Sequence, residues 1–167
     1  MLNRIINYIH NLIPFTGITL KVLKADINAK LPTKAHTGMY GDAAYDLYAT
    51  ETITLEPNQR LLVNSGICFL IPNNYWVKLR ERSGLANKGI HLLGGVIDSG
   101  YTDCIKVILY NSSNSTISIT PDKAICQFTI ERVLTSQVVE VSQDLFSREA
   151  SLRKRGTKGF GSSDVKK

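Results

Sequence analysis

Two hydrophobic periods divide this chain. Over residues 1–13, Leu2, Ile5, Ile6, Ile9, Leu12 and Ile13 recur at helical spacing, with Asn3, Arg4, Asn7, His10 and Asn11 on the other side. This predicts a short amphipathic helix, ended by Pro14 and Gly17. From Ile18 onward the apolar period falls to every second residue. Segments 18–23, 51–55, 60–71, 75–81, 104–110, 116–120, 123–133 and 137–141 are short and rich in Val, Ile, Thr and aromatic residues. Turn formers such as Pro57-Asn58, Pro72-Asn73-Asn74 and Pro121-Asp122 separate them. Only residues 83–89 (S-G-L-A-N-K-G) interrupt, with the signal of a single helical turn. Many short strands predict an all-β sandwich or barrel.

One segment shows its two faces. In residues 123–131, Ala124, Cys126, Phe128 and Ile130 alternate with Ile125, Gln127, Thr129 and Glu131, so Gln127 is expected to point away from the core, towards a ligand or neighbour. Asp46, inside the otherwise apolar A-Y-D-L-Y run 44–48, is too costly to bury alone. It is expected at an open edge, or held by a cation or donor.

Charge and cysteine usage narrow the function classes. The net charge of +6 is uneven: residues 1–40 carry +4, residues 41–147 carry −3 and residues 148–167 carry +5. A mildly acidic body with basic ends argues against a nucleic-acid-reading face. Cys68, Cys104 and Cys126 are odd in number, far apart in sequence and set in apolar runs, so they read as buried, reduced thiols. A reducing intracellular compartment, cytoplasmic or nuclear, is therefore expected. His10, His36 and His91 are equally scattered, which disfavours a protein-built metal cage. The N-terminal helix is too short for a secretory signal with its cleavage region. Its apolar side suits the chain's own body, a sister subunit, a partner or a membrane. With 167 residues, the division expected is a helical extension over 1–17, a β domain over 18–146 and a mobile C-terminal arm over 147–167, joined through a polar linker at Ser147–Lys154.

Candidate chemistry sits between the strands. Arg82-Ser83-Gly84 brings a cation, a hydroxyl and an exposed N–H together ahead of the helical turn. In residues 94–101 (G-G-V-I-D-S-G-Y) a glycine pair allows close backbone approach, and Asp98 is delivered at the mouth of a turn, where a carboxylate can take a proton from water. The tail 155–163 (R-G-T-K-G-F-G-S-S) could build no core. It combines the positive charge of Arg155 and Lys158 with accessible main-chain N–H groups and one aromatic ring, Phe160, suited to stacking on a flat ligand.

Taken in order, residues 42–49 (D-A-A-Y-D-L-Y-A), 82–88 (R-S-G-L-A-N-K), 95–101 (G-V-I-D-S-G-Y) followed by strand 104–110 and Asn111, 122–127 (D-K-A-I-C-Q) and 155–163 resemble the five ordered motifs of the trimeric dUTPases. The match runs from about residue 18 to 163. The resemblance implies a distorted jelly-roll β fold assembled as a homotrimer, with Mg²⁺-assisted hydrolysis of dUTP to dUMP and pyrophosphate in sites shared among three subunits. On this chain it implies that Asp98 activates the water attacking the α-phosphorus and that Tyr101 lies under the deoxyribose, excluding ribonucleotides. Backbone around Gly95 and along residues 104–106, including Ile105, would meet the uracil edge. Arg82, Ser83, Gly84 and Gln127 would hold phosphates, with Arg155 and Ser162 arriving from the tail. Phe160, beside Gly161, would stack on the base, and Asp46 would reach Mg²⁺ through water.

The chain departs from the usual family pattern at Ala44, Glu81, Asp103 and Lys158. None of these removes a reacting group. Asp103 puts a carboxylate beside the base-recognition hairpin, where it either loosens uracil selection or turns outward. Two alternatives stand beside the main reading. A dCTP deaminase of the same architecture would carry a glutamate where this chain has Ile108, which cannot shuttle protons. A non-catalytic nucleotide-sensing module would keep the pocket as a switch.

Overall fold

The computed structural model describes residues 17–153; the expected N-terminal helix and Arg155, Lys158, Phe160, Gly161 and Ser162 lie outside them. The described chain is mostly β-strand with few helices. It falls into two compact units that part between Leu134 and Thr135.

The first unit contains β1 (Lys21–Lys24), β2 (Tyr45–Tyr48), β3 (Ile53–Leu55), β4 (Arg60–Leu70), β5 (Tyr75–Arg80), α1 (Ser83–Ala86), β6 (Ile90–Leu93), β7 (Val96–Ile97), β8 (Cys104–Asn111), β9 (Ile117–Ile119) and β10 (Ala124–Arg132). One four-stranded sheet has the order β1-β4-β8-β6 and a second the order β2-β10-β5-β7, while β3 and β9 form a separate ribbon. Alternation turns Val63, Ile67 and Phe69 of β4 and Ile105, Val107 and Leu109 of β8 inward to meet Val77, Cys126 and Phe128 of the second sheet. Phe69 and Phe128 pack across that gap with ring centroids 5.0 Å apart.

Asn111 ends β8 and ties the ribbon to it. Its buried amide donates to the carbonyls of Leu55 (3.0 Å) and Ser115 (2.8 Å) and accepts from the Ser113 N–H and hydroxyl. Every polar atom of the group is thereby met, as a buried amide requires. A second device sits within β4. Its pairing with β8 shifts between Asn64↔Lys106 and Cys68↔Cys104, so four residues of β4 span what two residues of β8 span. Gly66 occupies the bulge at φ +63°, where a Cβ would come within 2.7–2.9 Å of Asp26, Thr50 and Ala29.

Several expectations need correction. Ile125 is buried as well as Ala124 and Cys126, because the register of β10 with β2 shifts between Ala124 and Cys126 and breaks the alternation there. Of the three cysteines only Cys126 is fully buried. Cys68 and Cys104 are half-buried and face each other across strands, despite their distance in sequence. Residues 137–141 form no strand. In the second unit residues 147–151 of the expected linker are helical, as part of α2 (Gln143–Ser151), which is capped by Ser142, whose hydroxyl accepts from the Leu145 N–H. Asp144 in its first turn and Arg148 in its last complement the helix dipole.

Candidate active site

The phosphate-type residues meet at one end of β5. Beyond that strand the backbone stays extended at Arg82, and the Arg82 guanidinium donates to Asp46 Oδ2 at 3.0 Å. Asp46 on β2 stands opposite Gln127 on β10, which stands opposite Arg80 on β5. Three neighbouring strands thus deliver a carboxylate, an amide and guanidinium groups to one row. Asp42, Asp46, Arg80, Arg82, Gln127 and Thr129 line an open cavity of about 590 Å³. The carboxylate set among apolar neighbours has found its cation, and Gln127 is half-buried with its Nε2 donating to the Glu81 carbonyl at 2.8 Å.

Ser83 and Gly84 open α1 beside this cavity. The first intrahelical donor is Leu85, to Arg82 O at 3.0 Å, so the N–H groups of Ser83 and Gly84 precede the helix's own hydrogen bonding. Nothing lies within 4 Å of a Cβ built on Gly84, and a ligand can approach its backbone. Beneath the row, burial pushes the Cys126 thiol up to about 12, and the neighbouring Asp46 charge adds to the shift. That thiol is inert structure.

A different kind of surface forms around β7 and the start of β8. The Leu79 N–H donates to Gly95 O at 2.8 Å, and Gly95 has φ +109° with a Cβ position only 3.1 Å from Leu79 O and Leu92 Cδ2. A side chain there would be both strained and obstructed. Asp98, Ser99 and Gly100 then form an exposed turn, closed by the Tyr101 N–H on Asp98 O at 3.0 Å. The Tyr101 hydroxyl donates to the Cys104 carbonyl at 2.9 Å. This fixes the ring against the first residue of β8.

That strand has an open edge. β6 pairs with β8 from Ile90↔Asn111 to Leu93↔Ile108 and stops, leaving residues 104–107 with β4 as their strand neighbour among the described residues. Ile105 is fully buried, and its carbonyl accepts from Ser65 Oγ on β4 at 2.8 Å. Main-chain groups alternate sides along a strand, so those of Cys104 and Lys106 face the open edge. Asp103 turns back on its own strand: its carboxylate accepts from the Cys104 N–H at 2.7 Å and from Lys106 Nζ at 3.2 Å. These two bonds, the backbone one first, hold it below the usual carboxylate range.

The two groups do not meet within one chain. Ile97, just before Asp98, pairs with Val77, whereas Arg82 lies at the opposite end of β5. At about 3.3 Å per residue the five residue steps from Val77 to Arg82 set them roughly 17 Å apart. Among the described residues no three His, Cys, Asp or Glu side chains converge as a metal cage.

The dUTPase family model matches residues 28–164. The chain belongs to the dUTPase family. A deoxyuridine 5'-triphosphate nucleotidohydrolase of Yarrowia lipolytica is 38% identical to it over 150 residues, covering 89% of this chain and 90% of that one. The enzyme of that name from swinepox virus is 37% identical, covering 89% and 99%. The solved dUTPase of Staphylococcus bacteriophage 80alpha, with dUPNHPP, aligns at a TM-score of 0.75 and 26% identity over 89% of this chain and all of that one. Against this dUTPase background, sequence reasoning passed over Arg80 and Thr129, which line the cavity. Their signal was the two-residue spacing that puts Arg80 on the side of Arg82, and Thr129 on that of Gln127.

Proposed function

We infer that the chain is a dUTP diphosphatase, converting dUTP to dUMP and pyrophosphate in sites shared between subunits of a homotrimer. The observation carrying this reading is the open edge of β8, framed by Asp98 and Tyr101. A strand edge offers donors and acceptors at fixed spacing, the natural match for the N3–H and O4 of uracil. Cytosine presents an amino group and a lone pair there instead, and thymine adds a methyl that a narrow slot excludes. The Cys104 carbonyl, which keeps a lone pair beside the Tyr101 bond, and the Lys106 N–H supply those main-chain groups, with Gly95 leaving room for the base. Tyr101 packs under the deoxyribose and leaves no space for a 2′-hydroxyl.

The triphosphate lies in the cavity of a neighbouring subunit. Arg82, Ser83, the Gly84 N–H and Gln127 bind its oxygens, each charge-assisted bond contributing about 1.5–3 kcal/mol. Joining the two groups across an interface removes the roughly 17 Å separation that defeats a single chain. Asp98 takes a proton from the attacking water; the new oxygen bond forms at the α-phosphorus and the bond to the bridging oxygen breaks, releasing pyrophosphate. Arg155, Phe160, Gly161 and Ser162 close over phosphate and base from the C-terminal arm.

Mg²⁺ fits this donor set. A hard cation that keeps several waters and binds chiefly to phosphate oxygens needs one or two carboxylates rather than a cage. Asp46, already in the cavity wall, is the carboxylate that would hold it through water. When bound, the ion neutralises triphosphate charge and orients the leaving pyrophosphate. The body carrying these sites is a distorted jelly-roll sandwich.

Deamination is the weaker reading: Ile108 sits on β8 opposite Leu93 and offers no proton. Pyrophosphate release with Mg²⁺ across dUTP, dCTP, dTTP and UTP decides the matter. Turnover confined to dUTP is the expected result, and ammonia released from dCTP would overturn it.

A further inference from the structure

We propose that Cys68 and Cys104 form a redox modification site, in which a hydroperoxide closes the two thiols into an intramolecular cross-strand disulfide. The two residues are direct partners in the β4–β8 register, and their Sγ atoms lie 3.0 Å apart. Covalent closure to about 2.05 Å asks for an approach of about 1 Å. Directly opposed cross-strand residues have Cβ atoms near the separation a disulfide spans. Both cysteines are half-buried on the outward side of the sheet, whereas Cys126 is sealed in the core. Leu23, the next residue in the same row, is 62% exposed. Oxidant therefore reaches this pair and is denied the third thiol.

The chemistry divides between the two sulfurs. The hydrogen bond with Cys104, with burial, pushes the Cys68 thiol up to about 11, so Cys68 keeps its proton at neutral pH and suits the second, resolving step. Cys104 attacks the peroxide: its sulfur bonds to one oxygen, the O–O bond breaks, and the departing hydroxide takes a proton to become water. Cys68 then attacks the sulfur of the Cys104 sulfenic acid. The S–O bond breaks and the leaving hydroxide combines with the Cys68 proton, so two thiols and one peroxide become one disulfide and two waters.

The site is coupled to the open edge of β8, a consequence that rests on the nucleotide reading above. Cys104 accepts the Tyr101 hydroxyl bond and starts the free edge. Closure draws that residue towards β4 and away from the base, and weakening one neutral hydrogen bond to the base predicts about a threefold to tenfold rise in KM for dUTP with kcat little changed.

The test uses the full-length assembled protein and hydrogen peroxide. Intact mass should fall by two hydrogens, peptide mapping should join residues 68 and 104, and dithiothreitol should reverse both. Cys68→Ser should leave a dimedone-trappable sulfenic acid on Cys104, Cys104→Ser should abolish the link, and Cys126→Ala should retain it. Three free thiols after treatment, or a disulfide between subunits, would overturn the site. An unchanged KM in protein shown to be fully cross-linked would overturn the coupling alone, and an absence of dUTP turnover before oxidation would count against the nucleotide reading instead.

Discussion

The two ends of β5 are built on opposite principles. At the Arg82 end, charged and amide side chains from three strands converge on a cavity and form an ion pair at 3.0 Å. At the Ile97 end the groups on offer are main chain, beside a glycine at positive φ and a strand edge that has no partner among the described residues. Side-chain charge suits phosphate, which varies little in shape and accepts strong charge-assisted hydrogen bonds. Rigid backbone suits a base, where discrimination depends on a fixed pattern of donors and acceptors. Affinity and selectivity are thus separable, and substitutions should reveal them separately.

The largest effect tests whether the two ends cooperate across subunits. Asp98→Asn should retain the fold and lose on the order of 10² to 10⁴ in rate. Arg82→Gln should be comparably inactive with raised KM, having lost a phosphate contact. Co-assembled in equal amounts, the two inactive chains should recover roughly a quarter of wild-type activity, because random mixing places an intact Asp98 beside an intact Arg82 in that share of interfaces. No recovery in verified mixed trimers would mean that each site belongs to one chain.

Next in size is selectivity. Tyr101→Ala should raise kcat/KM for UTP on the order of 10- to 100-fold while weakening dUTP binding, since it removes both the steric block and the hydroxyl bond to Cys104. Continued exclusion of UTP would move the sugar discrimination elsewhere. Gly95→Ala should cost about 1–3 kcal/mol of stability, read from denaturant midpoints, because it combines positive φ with a close approach to Leu79 O. A stability equal to wild type would show that the backbone there can shift.

The smallest effect concerns Arg80 and Glu131, paired at 2.8 Å on the exposed side of the second sheet. The Arg80 bond holds the Glu131 carboxyl below its ordinary value of 4.5. A depressed folded value means stabilisation present above that ordinary value and lost as pH falls through the lower folded one. Glu131→Gln should therefore lower Tm slightly at pH 7, with the difference vanishing in acid. A difference that persists there would point to packing rather than charge.

Much of the fold was legible from local signals. Strands β4, β5, β8 and β10 begin and end within a few residues of the alternating runs, because Pro-Asn and Pro-Asp turns punctuate them. β6 and β7 were missed. The I-H-L-L-G-G-V-I stretch is apolar but for His91 and lacks the alternation that marks a strand. The run at 137–141 alternates yet forms no strand, since a ladder needs a partner that no local pattern supplies. α2 was read as linker because its start signal is the Ser142 cap alone, with no buried residue to make an apolar stripe. For the candidate site, residue types were readable in the motifs, but their grouping was not. That Asp98 and Arg82 flank opposite ends of β5, and that Cys68 faces Cys104, follow only from register.

The bulge at Gly66 carries a rule about how this chain can change length. Because β4 spends two extra residues there, the inward and outward order of its side chains is conserved on both sides, with Val63 and Phe69 both in the core. A single-residue insertion or deletion at this point would reverse every position beyond it, turning Cys68 and Leu70 inward and Ile67 and Phe69 to water. Length variation here is quantised in pairs, and related chains that differ at the bulge should differ by two residues or by none.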